Sequence, residues 1–294
     1  MSDSAPLSAR VFVALQYLLP QLLLSRWVGH IARARATWIR RPLIRAFLRA
    51  YRPDLSDAAQ PDPMAYPSFN AFFTRALRAG ARPVPRGTAA ITSPVDGRIS
   101  ALGTTAQGKL IQAKGKDYSL DTLLAGNAEL AGRLLGGPFM TVYLAPFNYH
   151  RIHMALAGTL VGAWYVPGRL FSVNDVTAAS VPNLFARNER VILEFQGEHG
   201  PHALVMVGAL FVGSMATVWH GDIARKSVSA PVALPLPAAP ASHLEQGAEL
   251  GRFNMGSTII LLLPRASGAW TPALSAYAEV RMGQAIGLLS TASK

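Results

Sequence analysis

Apolar positions follow two different rhythms along the chain. Up to about residue 52 they recur at helical spacing, as in Trp27 to Ile31 and Ile44 to Leu48, and Pro20 and Pro42 are expected to split this region into separate helices. The stretch from Arg52 to Pro67 holds Pro53, Pro61, Pro63 and Pro67 with several acids, which is linker composition. Ser68 is placed to cap a short helix running through Phe72, Phe73 and Leu77 and ending near Gly80. From Ile91 onwards the pattern changes to short runs rich in Val, Ile, Leu and Thr, bounded by Gly, Pro and Asn. Strands are predicted over 99–102, 139–145, 159–166, 190–195, 203–212, 216–219 and 257–263. One helix or helix pair is predicted over 121–135 with Asp121 as its cap, and the proline-rich 230–241 reads as loop. The fold class is therefore α+β: N-terminal amphipathic helices followed by a β-rich core.

Charge sharpens the reading of the helices. The chain has 294 residues, no cysteine, and a net charge of +12, with only 15% of residues charged and 50% hydrophobic. Disulfides, thiol nucleophiles and Cys-based metal sites are excluded. No acidic residue lies between Asp3 and Asp54, while Arg10, Arg26, Arg33, Arg35, Arg40, Arg41, Arg45, Arg49 and Arg52 do. Basic helices interleaved with Trp27, Trp38 and leucines suit the surface of an anionic membrane; no nucleic-acid-binding motif accompanies them. A solvated helical face packing on its own domain is the plain alternative. Spanning needs roughly 20 apolar residues in a row. The run Leu15–Leu24 is short and interrupted by Gln16, Pro20 and Gln21, and 203–219, with Gly208 and Gly213, reads as two strands and a turn. With no secretory pattern at the N-terminus, a peripheral position on the cytoplasmic side of the membrane is expected.

Three features carry candidate chemistry. His150 and His153 stand three apart in Tyr149-His150-Arg151-Ile152-His153. Such a pair can share proton transfer, bind metal if a third ligand joins it, or be structural. Asp96, in Ser93-Pro94-Val95-Asp96-Gly97, reads as a hairpin turn residue or as a carboxylate that orients a histidine. Gly256-Ser257-Thr258, just before an apolar strand, reads as a tight turn or as a self-cleavage site. In the second reading the Ser257 hydroxyl attacks the unhindered Gly256 carbonyl. The ester then eliminates, and hydrolysis of the dehydroalanine leaves a pyruvoyl group. Gly213-Ser214 is the same dipeptide, so the dipeptide alone decides little.

Together these stretches resemble the bacterial phosphatidylserine decarboxylase proenzymes. The resemblance rests on seven pieces in the family's order: Phe69–Arg75 with Arg82-Pro83, Ser93–Gly97, Lys114–Leu120, Tyr149–His153, Pro167–Asn174, Phe185–Val191, and Gly251-Arg252-Phe253 leading to Gly256-Ser257-Thr258. Met255 stands where Leu is expected, and Phe147-Asn148 where more polar residues with a second-position Asp are expected. The resemblance covers most of the chain after about residue 66. It implies 67–294 as the decarboxylase core; it does not reach the helices before it, so the reading of residues 1–66 as a membrane-associating helical region with a linker rests on composition. Asp96 would orient His153, and His153 would take the proton of Ser257. The chain would split between Gly256 and Ser257 into a β chain (1–256) and an α chain (257–294). The pyruvoyl group on the α chain would form a Schiff base with phosphatidylserine, giving phosphatidylethanolamine, with no metal. His150 would act beside the Schiff base, on the carboxylate or as proton donor. A dimer of αβ units is the implied assembly. A surface-binding relative without chemistry and a metal-dependent lipid hydrolase using His150 and His153 are the competing readings.

Overall fold

The computed structural model describes residues 7–85, 89–113, 116–223, 228–265 and 267–290, and of Ser257 only the backbone. The Lys114-Gly115 part of the third motif lies outside the described residues.

The core is one large antiparallel sheet. Its six long strands run in the order Gly158–Val166, Arg190–Gly197, Gly200–Val207, Ser257–Leu262, Pro138–Leu144 and Gly97–Thr104. Every strand expected from the sequence is present, although 203–212 ends at Val207 and 203–219 resolves into two strands, as expected. In the inner strands the apolar runs are continuous rather than alternating because both faces are covered, whereas the outer Gly97–Thr104 alternates buried and half-buried positions. Ile259 and Leu261 enter one buried cluster with Ile99, Val142 and Phe195. Ile260 and Leu262 enter the opposite one with Phe139, Ile192 and Val205. A second, four-stranded sheet runs Gly221–Ile223, Ser214–Thr217, Glu249–Asn254, Arg151–His153. The chain leaves this small sheet at Asn254 and enters the middle of the large one at Ser257, so Met255-Gly256 is the crossing between sheets.

Three helices precede the sheets: α1 (Leu7–Leu18), α2 (Gln21–Arg33) and α3 (Thr37–Tyr51). Pro20 separates α1 from α2 as expected, but Pro42 lies inside α3 and breaks nothing. Proline there forfeits one intrahelical bond near the helix start, and burial of Ile44 and Phe47 holds the helix together. The α2–α3 break falls at residues 34–36 instead. The helix capped by Ser68, α4 (Phe69–Phe73), accepts from Ala71 N through its Ser68 hydroxyl. It stops well short of Gly80, because the backbone beyond it pairs with the linker through Ala59 N to Ala76 O and Arg78 N to Asp57 O. Phe47 packs edge-on against Phe69, Phe72 and Phe73 at 5.4–5.9 Å between ring centres, clamping α3 to α4. The expected helix over 121–135 is a pair, Leu120–Leu123 and Ala128–Leu134, capped by Ser119 and Asn127 rather than Asp121. The break falls where Ala125 and Gly126 take positive φ.

α1 and α2 are amphipathic in the inverted sense. Apart from Ala32 near the end of α2, the side chains they bury are polar: Gln16 accepts from Ser172 N, Gln21 from Leu170 N, and Ser25 from Phe211 N. The residues they expose are apolar, among them Leu18, Leu22, Leu23 and Trp27, with Trp38 on α3 79% exposed. No single helix among the described residues is long and apolar enough to cross a membrane; α1 and α2 meet at 87°.

Candidate active site

His150 follows a turn built by Asn148, whose side chain accepts from Ala145 N at 2.7 Å. This is a local role an aspartate would fill equally well. The His150 ring is completely buried and tilted against Phe73 at 4.1 Å. Its Nδ1 lies 2.9 Å from the Asn148 carbonyl. A carbonyl only accepts, so Nδ1 carries the proton and Nε2 is a bare lone pair. That Nε2 is buried without a hydrogen-bond partner, an arrangement that costs stability and calls for a reason. A β-carbon built on Gly256 would sit 3.8 Å from it. Burial pushes the His150 pKa down to about 3, against a smaller opposing effect of the Asn148 carbonyl, so the ring is neutral at pH 7.

The crossing itself is strained. Met255 has φ 82°, in the left-handed region that a residue with a β-carbon rarely adopts. Such a residue stores roughly 1–3 kcal/mol, here immediately before Gly256. The Ser257 side chain lies outside the described residues. Its backbone opens the strand opposite Leu144.

His153 is held at both nitrogens. Nδ1 donates to Gly247 O at 2.8 Å, and Nε2 accepts from the Tyr149 hydroxyl at 2.9 Å. Burial lowers its pKa, partly countered by the Gly247 carbonyl and by the charges of Glu249 and Asp96. Asp96 is buried and faces elsewhere: Oδ1 accepts from Met282 N at 2.8 Å and Oδ2 from Arg82 at 3.0 Å, and Arg82 also holds Asp57. Asp96 therefore acts on His153 through its field, and no hydrogen bond joins the two. The structure thus brings His150 to Gly256 and sets His153 and Asp96 in a neighbouring polar layer. The sequence reading did not single out Tyr149, Arg82, Asp57 or Phe73. Tyr149, Arg82 and Phe73 stand inside the motif pieces quoted above; Asp57 stands in the linker and carries no local signal.

An apolar cavity of about 330 Å³ opens beside the crossing, walled by Phe12 of α1, Phe47 of α3, Phe69 and Phe73 of α4, and Met255 with Gly256. Ser172 and Asn174 add polar atoms at its edge. The N-terminal helices are thus part of the site's wall. Among the described residues no group of three His, Asp or Glu side chains could hold a metal ion.

An α+β core that carries a buried bare imidazole at a strained Gly-Ser crossing, beside an apolar cavity, fits an enzyme acting on an amphiphile. A model of the phosphatidylserine decarboxylase family matches residues 69–288, and a second model, described as PSD, matches 11–52. The chain belongs to the phosphatidylserine decarboxylase family and is a decarboxylase. It is 52% identical over 280 residues to the phosphatidylserine decarboxylase proenzyme of Pseudomonas paraeruginosa, covering 95% of this chain and 97% of that one. It is 50% identical to the Pseudomonas fluorescens proenzyme over 280 residues, 95% of this chain and 97% of the relative. The Bordetella pertussis proenzyme is 48% identical over 284 residues, 96% of each chain. The likeness therefore extends through the N-terminal helices, further than the motif pieces reach.

Proposed function

We propose that this chain is a precursor that cleaves itself between Gly256 and Ser257, and that the product decarboxylates phosphatidylserine to phosphatidylethanolamine and CO2 in phospholipid synthesis. The observation that carries the reading is the bare, buried Nε2 of His150 against Gly256. The names of the relatives, which call them phosphatidylserine decarboxylase proenzymes, support both the substrate and the processing.

Ser257 attacks the Gly256 carbonyl, a centre with no side chain to crowd it, in a segment already strained at Met255. His153 has the tautomer a base needs: Nδ1–H is anchored on Gly247, which leaves Nε2 to take a hydroxyl proton. It does so by exchanging the Tyr149 hydroxyl for that of Ser257, or through it. Asp96, fixed by Arg82, favours the imidazolium by its charge. Elimination of the ester then requires loss of the Ser257 α-proton, and the lone pair of His150 lies against Gly256, one residue before it. Once formed, the pyruvoyl group would supply a carbonyl able to condense with the substrate amine and to accept the electrons released with CO2. The site fits that group: the His150 acceptor would face it, and the Phe-lined cavity would take the lipid's glycerol and upper acyl carbons while excluding water. The His150 ring rests neutral, so the proton it would return to carbon is the one the substrate ammonium gives up on condensing. No metal has a role in this scheme.

The inverted α1 and α2 support a peripheral membrane position, with their exposed leucines and Trp27 in the lipid interface beside Trp38 of α3; the proposed side is the cytoplasmic one. Two of the nine arginines have other work: Arg33 binds Ser214 and Asp222, and Arg40 binds the Met64 and Tyr66 carbonyls. A dimer of αβ units completes the proposed assembly. Intact-mass measurement tests the reading. Processing makes residues 257–294 a separate chain, about 4 kDa of the 31.4 kDa total at roughly 110 Da per residue, beginning with a pyruvoyl group rather than serine. Ser257→Ala should remain full-length and inactive; a Ser257→Ala chain that still splits there overturns the scheme, and a wild-type chain never cleaved on membranes leaves a surface-binding relative.

A further inference from the structure

A second cavity, of about 600 Å³, lies on the other side of α4 from the Phe-lined one. Its walls carry Arg33, Arg35, Arg75, Arg151 and Arg252, against a single carboxylate, Asp222. Asp222 is already used by Arg33 and by the Asn254 amide. Arg252 and Arg151 are directly opposed cross-strand partners in the small sheet. Like charges in that register repel and destabilise a sheet unless an anion lies between them. Arg151 is neutralised by Glu249 at 2.8 Å and also donates to the Thr74 carbonyl. The Arg252 guanidinium has no hydrogen-bond or acidic partner among the described residues. Arg75 is 4% exposed, and its Nη1 also lacks any partner, which is costly for a buried cation. The Arg252 and Arg35 guanidinium groups and the unpartnered Nη1 of Arg75, whose Nη2 is held by the Phe147 carbonyl, leave N–H donors in this wall that match the oxygens of a phosphate, which arginine binds through paired N–H donors.

We propose that this cavity is a phosphate-ester binding site, separate from the decarboxylation site and independent of how that site works. Its ligand is either the headgroup of an anionic lipid or a soluble phosphate. Location favours the lipid: Arg33 and Arg35 sit between Ile31, 45% exposed, and Trp38, at the end of the helices with apolar outer faces.

Calorimetric titration of the full chain, with inorganic phosphate and separately with dihexanoyl phosphatidic acid below its micelle concentration, tests this. Saturable binding of the lipid alone identifies a headgroup site, and equal binding of inorganic phosphate identifies a soluble ligand. In either case Arg252→Gln should weaken binding at least tenfold, while Arg26→Gln, exposed on α2 outside the cavity, should not change it. Without ligand, Arg252→Gln should keep or slightly raise Tm, because it relieves an unpaired opposition; a structural arginine would lower it. Should that variant fail to fold, exposed Arg35→Gln must show at least a threefold weakening. Absence of saturable binding of both probes, or binding that neither arginine variant alters, overturns the proposal.

Discussion

Gly256 is the residue where space and chemistry can be separated. A methyl group there meets nothing closer than 3.8 Å, so Gly256→Ala should fold with an unchanged Tm. It should nevertheless slow processing by tenfold or more, because the new side chain crowds the carbonyl under attack; gel densitometry of the precursor over time reads the rate. Histidine burial sets a second expectation. His150 and His202 have pKa values pushed down to about 3 and about 4 by burial. Both are lower than in the unfolded chain, so the unfolded state binds more protons below about pH 6.5. Stability is fully present above that value and is lost as pH falls, by about 1.4 kcal/mol per unit for each ring down to its folded pKa. Urea midpoints at pH 7 and 4.5 should differ accordingly, and His202→Phe, filling the place where the ring stacks on Phe195, should shrink the difference. At this scale the sequence already picked out Asp96, His150, His153 and the Gly-Ser bond, because motif order marks residue type. It could not give the pairing. The Arg82 grip on Asp96 and the Tyr149 bond to His153 depend on side-chain directions that no spacing encodes.

Elements show why composition read the helices in part. The sequence reading noticed arginines among tryptophans, but it could not say which face docks, because Gln16, Gln21 and Ser25 are ordinary surface residues until the loops at Leu170, Ser172 and Phe211 present unpaired N–H groups to them. Pro42 misled for a related reason: tertiary burial of Ile44 and Phe47 outweighs a local breaker. Removing everything before Asp54 is consequently a poor test of membrane contact, since it strips Phe47 from α4 and exposes the cavity wall. The double substitution Trp27→Ser with Trp38→Ser touches only exposed positions. It should leave Tm unchanged and lower co-sedimentation with vesicles rich in phosphatidylglycerol several-fold, the residual binding falling further with added salt.

For the whole molecule, the strand runs were legible as runs but their order was not, since four of the six long strands, Pro138–Leu144, Arg190–Gly197, Gly200–Val207 and Ser257–Leu262, are buried on both faces over most of their length and any of these could have been central. The position of Ser257–Leu262 is the arrangement that matters most. It pairs with Gly200–Val207 on one side and Pro138–Leu144 on the other, six and five residue pairs deep respectively on the Pro138 and Gly200 sides. Cleavage at its first residue would cut the chain without freeing either piece, so both products should co-elute on gel filtration at the size of the precursor and separate only in denaturant. The same placement would make the proposed processing a one-way event in the molecule's history. A precursor refolds as one chain, at a rate indifferent to dilution, whereas a processed enzyme, once unfolded, must recover a missing middle strand from solution. Its durability would then be set by how seldom the sheet opens, and a damaged processed enzyme would have to be replaced by new synthesis instead of being renatured.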